Sequence, residues 1–306
     1  MKISHGIEYA LTRIISAIFR ILPRNAAIIL GDRIGRATDN IWLSRHKVII
    51  NNLKIAFGDS LDDAKRDEIA RDVFGNIGKT LAEVSRFSIT SKEETLKTVG
   101  CKSLDVIQEV IDYGKGGIIT GSHFGNWELV GAYLNFCEYP VDFLVRSQHN
   151  KLVDKYLTEL RKASGARVIQ SDESGGMKEI LRALKNNRQI CMVSDQHAGS
   201  QGIIINFFGR PVSVPRAPAT LSVRTGAPII TGYILRNDDN THSCEFEKPL
   251  YPDMEADKDE EIYRLTKIYT NRIEASIRAY PSFWLWTHRR FKYKPDTKLS
   301  EGSFVE

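Results

Sequence analysis

Cysteine is scarce in this sequence. Cys101, Cys137, Cys191 and Cys244 stand far apart and form no C-x-x-C pair, which argues against a disulfide framework or a zinc site and suits a reducing, cytosol-facing body. Long apolar runs are lacking as well. The apolar stretch from Ile7 to Leu22 is interrupted by Arg13 and Arg20, whereas a spanning helix needs about 20 mostly apolar residues. Met1 to Pro23 carries no small-residue cleavage site, so this segment is expected to stay on the mature protein rather than be removed as a secretory signal. Neither an internal repeat nor a low-complexity segment is present. Acidic residues are few at one end: residues 1–57 hold nine Lys/Arg against three Asp/Glu, so that stretch carries +6 of a net charge of +5 and the remainder carries −1. A locally basic, apolar start suits an anionic lipid surface. A nucleic-acid binder would more often carry a basic stripe with aromatics across its main domain.

What is present is enough apolar material for a sizeable core, 42% of 306 residues. In the first segment Leu11, Ile14, Ile15, Ile18, Ile21 and Leu22 recur at helical spacing with Arg13 and Arg20 on a flank. This predicts a helix lying in a membrane interface, or one packed on its own domain. From Ser60 a second helix is expected, opened by a Ser60/Asp63 capping box and lined by Ile69, Val73, Phe74, Ile77, Leu81 and Val84. Beyond residue 116 short apolar strands at Gly117–Gly121, Val141–Val145, Arg167–Gln170, Gln189–Ser194 and Pro228–Leu235 alternate with helical patterns at Asn126–Phe136, Leu152–Ala163 and Met177–Lys185. Residues 242–250 read as an added strand and 259–279 as a closing helix. The expected fold is α/β, a mostly parallel central sheet flanked by helices. The division is a basic helical membrane-associated segment over 1–58 and an α/β domain over 59–306. In such sheets ligands bind beyond the carboxyl ends of the strands, where this chain places Gly121-Ser-His123, Arg146 and Ser194-Asp-Gln196.

His123 and Glu128 are the candidate reactive pair. Five residues apart, they lie about 140° off one face of a continuous helix, which argues against a zinc helix of the H-E-x-x-H type. If the strand ends at Ser122 and a helix starts near Asn126, the turn between them can return the Glu128 carboxylate to the imidazole. That would fix its tautomer and leave the other ring nitrogen as a general base. Gly125 would permit close approach of backbone or substrate there, and amides at the helix start could face a developing oxyanion. A histidine that merely ends a strand has the same spacing, so the pair alone does not decide.

The segment Gly121-Ser-His-Phe-Gly-Asn-Trp-Glu128 resembles the H-x₄-D/E motif of the lysophospholipid acyltransferase superfamily, and its Asn-Trp-Glu form is similar to the bacterial lipid A late acyltransferases. The likeness continues through Arg45, Asn51-Asn-Leu53, Ala56-Phe57, Arg146, Arg161, Asp195-Gln196, Asn206-Phe-Phe-Gly209 and Trp286-Thr-His-Arg-Arg-Phe-Lys292. It implies transfer of a fatty acyl group from an acyl carrier protein thioester to a hydroxyl of a lipid A precursor, at the cytoplasmic face of a bacterial inner membrane. It implies no metal and no organic cofactor. His123 would be the base and Glu128 its orienter, with no acyl-enzyme, which agrees with the lack of a G-x-S-x-G elbow. Arg161 would pair with a phosphate of the acceptor or help stabilise the oxyanion, Arg146 would bind phosphate or the acyl donor, Asp195 would anchor Arg161 or a loop, and Asn126 is a further substrate-binding candidate. The proline usual after the Arg146 position is absent from Ser147-Gln-His149, which leaves the donor contacts open. The acceptor could instead be another glycolipid or a lysophospholipid, and a non-catalytic lipid-binding protein is the reading from another class. Basic His288-Arg-Arg-Phe-Lys-Tyr-Lys294 could touch anionic headgroups or the acidic carrier protein.

Overall fold

The structure is a computed structural model and describes residues 3–171, 175–293, 297 and 299–305. Four helices come first: α1 (Ile3–Ile21), α2 (Arg24–Ile41), α3 (Leu43–Phe57) and α4 (Asp63–Ser85). Next are α5 (Lys92–Thr98), β1 (Val99–Cys101), α6 (Leu104–Tyr113), β2 (Gly117–Gly121), α7 (Trp127–Phe136), β3 (Val141–Val145) and α8 (Lys151–Ala163). The chain continues with β4 (Arg167–Gln170), α9 (Gly176–Lys185), β5 (Gln189–Val193), β6 (Gly202–Phe207) and β7 (Arg210–Pro215). It closes with α10 (Ala217–Thr225), β8 (Ile229–Arg236), β9 (His242–Phe246) and α11 (Lys258–Ala279). Among the described residues seven strands form one sheet in the order β1-β9-β8-β2-β5-β3-β4, and only the β8–β9 strand pairing in it is antiparallel. The α/β expectation therefore holds.

Side chains alternate across each strand, so neighbours go to opposite faces. Ile118, Ile190, Met192 and Ile229 pack with α9, α10, α11 and the β6–β7 hairpin, in a layer that also takes Ile49 and Leu53 of α3 and Ile69 and Val73 of α4. Ile119, Ile230 and Cys191 pack on the other side with Leu129, Val130, Tyr133 and Leu134 of α7, together with Ile107 of α6 and Tyr156 of α8. Burial on both faces explains why the central strands read as continuous apolar runs.

The helices before the sheet differ in detail from expectation. Ser60 does not cap α4: its hydroxyl donates to the Phe57 carbonyl, and Asp62 is the cap, accepting from the Lys65 amide. Ser60 instead ends a 3₁₀ turn over Gly58–Ser60, so the α-helix starts only at Asp63. Helices α2 and α4 meet at glycines. A Cβ on Gly35 would lie 2.1 Å from the Phe74 carbonyl oxygen, so the two backbones touch there. α1 packs on the body through Phe19, the Ser16–Ser85 hydroxyl contact and the Arg86 guanidinium, which donates to the Phe19 carbonyl. Its outer face leaves Ile3, Ile7, Leu11, Ile14, Ile18 and Ile21 exposed in one stripe. Among the described residues no helix is long and apolar enough to cross a membrane.

Candidate active site

Parallel register builds the site before any side chain is considered. Gly121 of β2 pairs with Val193 of β5, and the ladder continues as the Ser194 amide donates to the Gly121 carbonyl. Two residues further along each strand stand His123 and Asp195. The Asp195 carboxylate accepts from the His123 amide at 2.9 Å and meets Nδ1 of its ring at 2.8 Å. The indole of Trp284 donates to the same carboxylate at 2.7 Å. Segment 283–285 runs antiparallel to the turn after β2: the Gly125 amide donates to the Phe283 carbonyl, and the Leu285 amide to the His123 carbonyl. α3 holds this segment in place, since the Asn52 amide group donates to the Trp286 and His288 carbonyls at 2.8 Å. Gly125 has φ +57, and a Cβ there would lie 2.0 Å from the Ile234 carbonyl oxygen, so its close neighbour is the protein's own backbone.

The carboxylate hydrogen-bonded to His123 is thus Asp195, where Glu128 was expected. Glu128 sits in the first turn of α7 and takes Arg161 of α8 in a two-pronged pair, Nε at 2.8 Å and Nη2 at 2.6 Å. The physical reason lies at the helix start. Asn126 caps α7 by accepting from the Leu129 amide, and it is Trp127 whose ring meets the imidazole, edge-on at 5.0 Å, while Glu128 turns to Arg161. Glu128 still acts on His123 through its charge. Burial pulls the His123 pKa down, but Asp195, by charge and hydrogen bond, and then Glu128 outweigh it and hold the imidazole above its ordinary value. Burial pushes Asp195 the other way, yet the His123 charge, its two hydrogen bonds and the Trp284 indole bring that carboxyl down to about 2.

Asn126 is not disposed for substrate either. It is 1% exposed, and its amide donates to Glu83 of α4 at 2.8 Å. Glu83 also takes Arg236 of β8 and Arg24 of α2, and despite the burial that would raise it, His242 and Arg236 hold it at about 2. Asp195 does not anchor Arg161, because its oxygens are engaged by His123 and Trp284. Arg146 stands exposed one residue past β3.

His123, Glu128, Arg146 and Arg161 line one cavity of about 770 Å³. Its far wall is apolar and belongs to the sheet and α7: Ile119, Val130, Phe143, Cys191, Ile234 and Phe246. Chemically the arrangement offers an imidazole with one nitrogen anchored on a buried carboxylate, two arginines, and an apolar chamber large enough for a hydrocarbon chain. Trp284 and Trp286 lie beneath, 2% and 0% exposed. The Asn206-Phe-Phe-Gly209 stretch is the β6–β7 turn and its two rings are core. Sequence reasoning missed Trp284 as a partner of the site, although an aromatic-rich segment near the chain's end was visible. It also missed Glu83, an acidic residue inside the apolar pattern of α4.

A family profile described as bacterial lipid A biosynthesis acyltransferase matches residues 2–293. The chain is 26% identical over 276 residues to the lipid A biosynthesis palmitoleoyltransferase of Escherichia coli K12, covering 90% of this chain and 87% of that protein. It is 21% identical over 277 residues to the lipid A biosynthesis lauroyltransferase of the same organism, covering 90% and 88%. A phosphatidylinositol mannoside acyltransferase of Mycolicibacterium smegmatis is 23% identical over 188 residues, 59% of this chain and 58% of that protein.

Proposed function

Since the chain belongs to the bacterial lipid A biosynthesis acyltransferase family, we propose that it moves a fatty acyl group from an acyl carrier protein thioester to a hydroxyl of a lipid A precursor, with His123 as the general base. The observation that carries the reading is the His123–Asp195 contact at the mouth of a chamber with an apolar wall. Nδ1 is occupied by the carboxylate, so Nε2 faces the reactants. It takes the proton of the acceptor hydroxyl as that oxygen attacks the thioester carbonyl. The C–S bond then breaks, and the imidazolium returns the proton to the departing thiolate. Asp195 stabilises the imidazolium while it exists. Glu128 adds negative charge nearby and fixes the guanidinium of Arg161, whose Nη1 is left to meet a phosphate or the developing oxyanion. Arg146 would bind anionic substrate at the rim. The acyl chain would lie against Phe143, Ile234 and Phe246. No metal or organic cofactor enters this chemistry.

The likeness to a phosphatidylinositol mannoside acyltransferase favours one second reading, a different glycolipid acceptor on the same machinery. Both readings set the protein on the cytoplasmic face of a bacterial inner membrane, with the exposed stripe of α1 in the lipid interface and its arginines at headgroup level. The test is acyl transfer by the purified chain from an acyl carrier protein donor to a lipid A precursor, beside the His123→Ala variant. General-base loss should reduce the rate by about 10²–10⁴. Transfer undiminished in that variant would sink the mechanism, and transfer only to other glycolipids would move the acceptor. For the membrane step, Leu11→Asp with Ile14→Asp should abolish sedimentation with anionic vesicles while leaving the circular dichroism spectrum unchanged.

A further inference from the structure

The basic segment after Trp286 has a partner the reaction has not yet used. The loop after β5 brings His197 against it: the His197 amide donates to Nε2 of His288 at 3.4 Å, and its ring meets that of Tyr293 at 5.7 Å. The charges of Lys292, Arg290 and His288 all reach His197, and His288 lies in turn within the fields of Asp195 and His123. The same segment reaches His123 three residues before His288, where the Leu285 amide donates to the His123 carbonyl.

Among the described residues no carboxylate lies within ion-pair distance of His288, Arg290 or Lys292. Asp195, which reaches Arg290 and His288 only through its field, is committed to His123. Arg290 is 1% exposed, yet its Nε has no acceptor. One Nη donates to the Ser213 carbonyl, and the guanidinium lies 5.2 Å from the Phe207 ring centre. His197 Nδ1 is likewise buried without a partner. Burial and then the neighbouring cations pull His197 down to about 4, and burial brings even Arg290 to about 10. A buried cation without a counter-charge is unfavourable, and an arriving anion relieves it.

We propose that His197, His288, Arg290 and Lys292 form a phosphate-ester subsite beside His123. Exposed Lys292 and half-buried His288 make the contact, and Arg290 supplies positive field from beneath. The inference rests on the acyl-transfer reading, in which two substrates can bring such a group: the phosphodiester of the carrier protein's prosthetic arm, or a phosphate on the glycolipid acceptor. Either would place its reacting atom near His123 by anchoring a charge a short distance away.

Two measurements on the full chain test it. Inorganic phosphate titrated by calorimetry should bind the wild type saturably, with the Kd raised tenfold or more in Lys292→Gln and in His288→Asn. Equal affinity in all three proteins, or no saturable binding to the wild type, overturns the subsite. The KM of Lys292→Gln is then compared for an acyl carrier protein donor against an acyl N-acetylcysteamine thioester, which has no phosphate, and for acceptors with and without phosphate. A rise of fivefold or more confined to the carrier protein assigns the site to the donor arm, and one confined to the phosphorylated acceptor assigns it to the headgroup. Unchanged KM for all four overturns it as a substrate site. If the wild type transfers no acyl group, the function fails while the phosphate titration still reads the cluster.

Discussion

Asp142 and Asp195 are both buried carboxylates of the same sheet, one at each end. Asp142 is the second residue of β3, 0% exposed, and Arg188 grips both of its oxygens through Nε at 3.0 Å, with Arg167 beyond at 3.8 Å. Asp195 lies past the opposite end of β5 and holds a histidine and an indole. An arginine stays charged at any working pH, so the Asp142 pair closes its end of the sheet and moves no proton. A histidine partner alternates between states, and only one of its nitrogens is taken. The two ends of one sheet thus differ in the cation beside a buried aspartate, a permanently charged arginine at one and a titratable histidine at the other.

Substitution can break that contrast in graded ways. Asp195→Asn should have the largest effect. It removes the carboxylate that stabilises the imidazolium, and kcat should fall by about 10²–10⁴ while the protein still folds. The pH profile checks the cause. His123 must be neutral to act, and its pKa is raised in the fold, so the wild-type rate should climb with pH through an apparent pKa above about 6.5. In the variant that limb should move to lower pH, and an unmoved limb would contradict the role of Asp195. Stability follows the opposite sign: the contribution of charged His123 is full below its ordinary pKa and is lost as pH rises through the folded value. The Asp195 contribution is present above about 3.9 and is lost as pH falls through about 2.

Asp142→Asn should come next, and differently. Charged hydrogen bonds lost at a buried site cost about 1.5–3 kcal/mol, read as a lower urea midpoint. The pH profile of kcat should not shift. Trp284→Phe should be the mildest, removing one of the bonds that hold Asp195. A loss of about 1–2 kcal/mol in the transition state corresponds to roughly a five- to thirtyfold fall in kcat. A fall as large as that of Asp195→Asn would mean that the indole does more than orient the carboxylate.

Strands at 117–121, 141–145 and 167–170 were legible residue for residue, because short stretches rich in Val, Ile, Leu and Phe stand there between polar turns and helical patterns. The β6–β7 hairpin went unread. Its apolar Ile203-Ile-Ile205 and the turn at Phe208-Gly209 were present, but the stretch drew attention as a motif and not as two strands. For the site, His123 was visible from its place at a strand end. Its carboxylate partner was not, because local spacing favours Glu128 while Asp195 lies 72 residues away and arrives only through strand register. The Gly125 turn was legible as a close approach, although what approaches it is Ile234 and not a ligand. Asn126 shows the converse: a polar residue beside a reactive pair was spent on capping a helix and binding Glu83.

The antiparallel clasp of residues 283–285 on the turn after β2 also carries a consequence for synthesis. Domains begin to form as the chain emerges from the ribosome, and every strand of the main sheet is made by Phe246. The indole that fixes Asp195 and the carbonyl that receives the Gly125 amide come almost forty residues later. A nascent chain can therefore hold its sheet and its apolar chamber while the reactive histidine still lacks its frame. At about 5–20 residues per second that interval lasts a few seconds, and a product interrupted within it carries the chamber without the frame of His123.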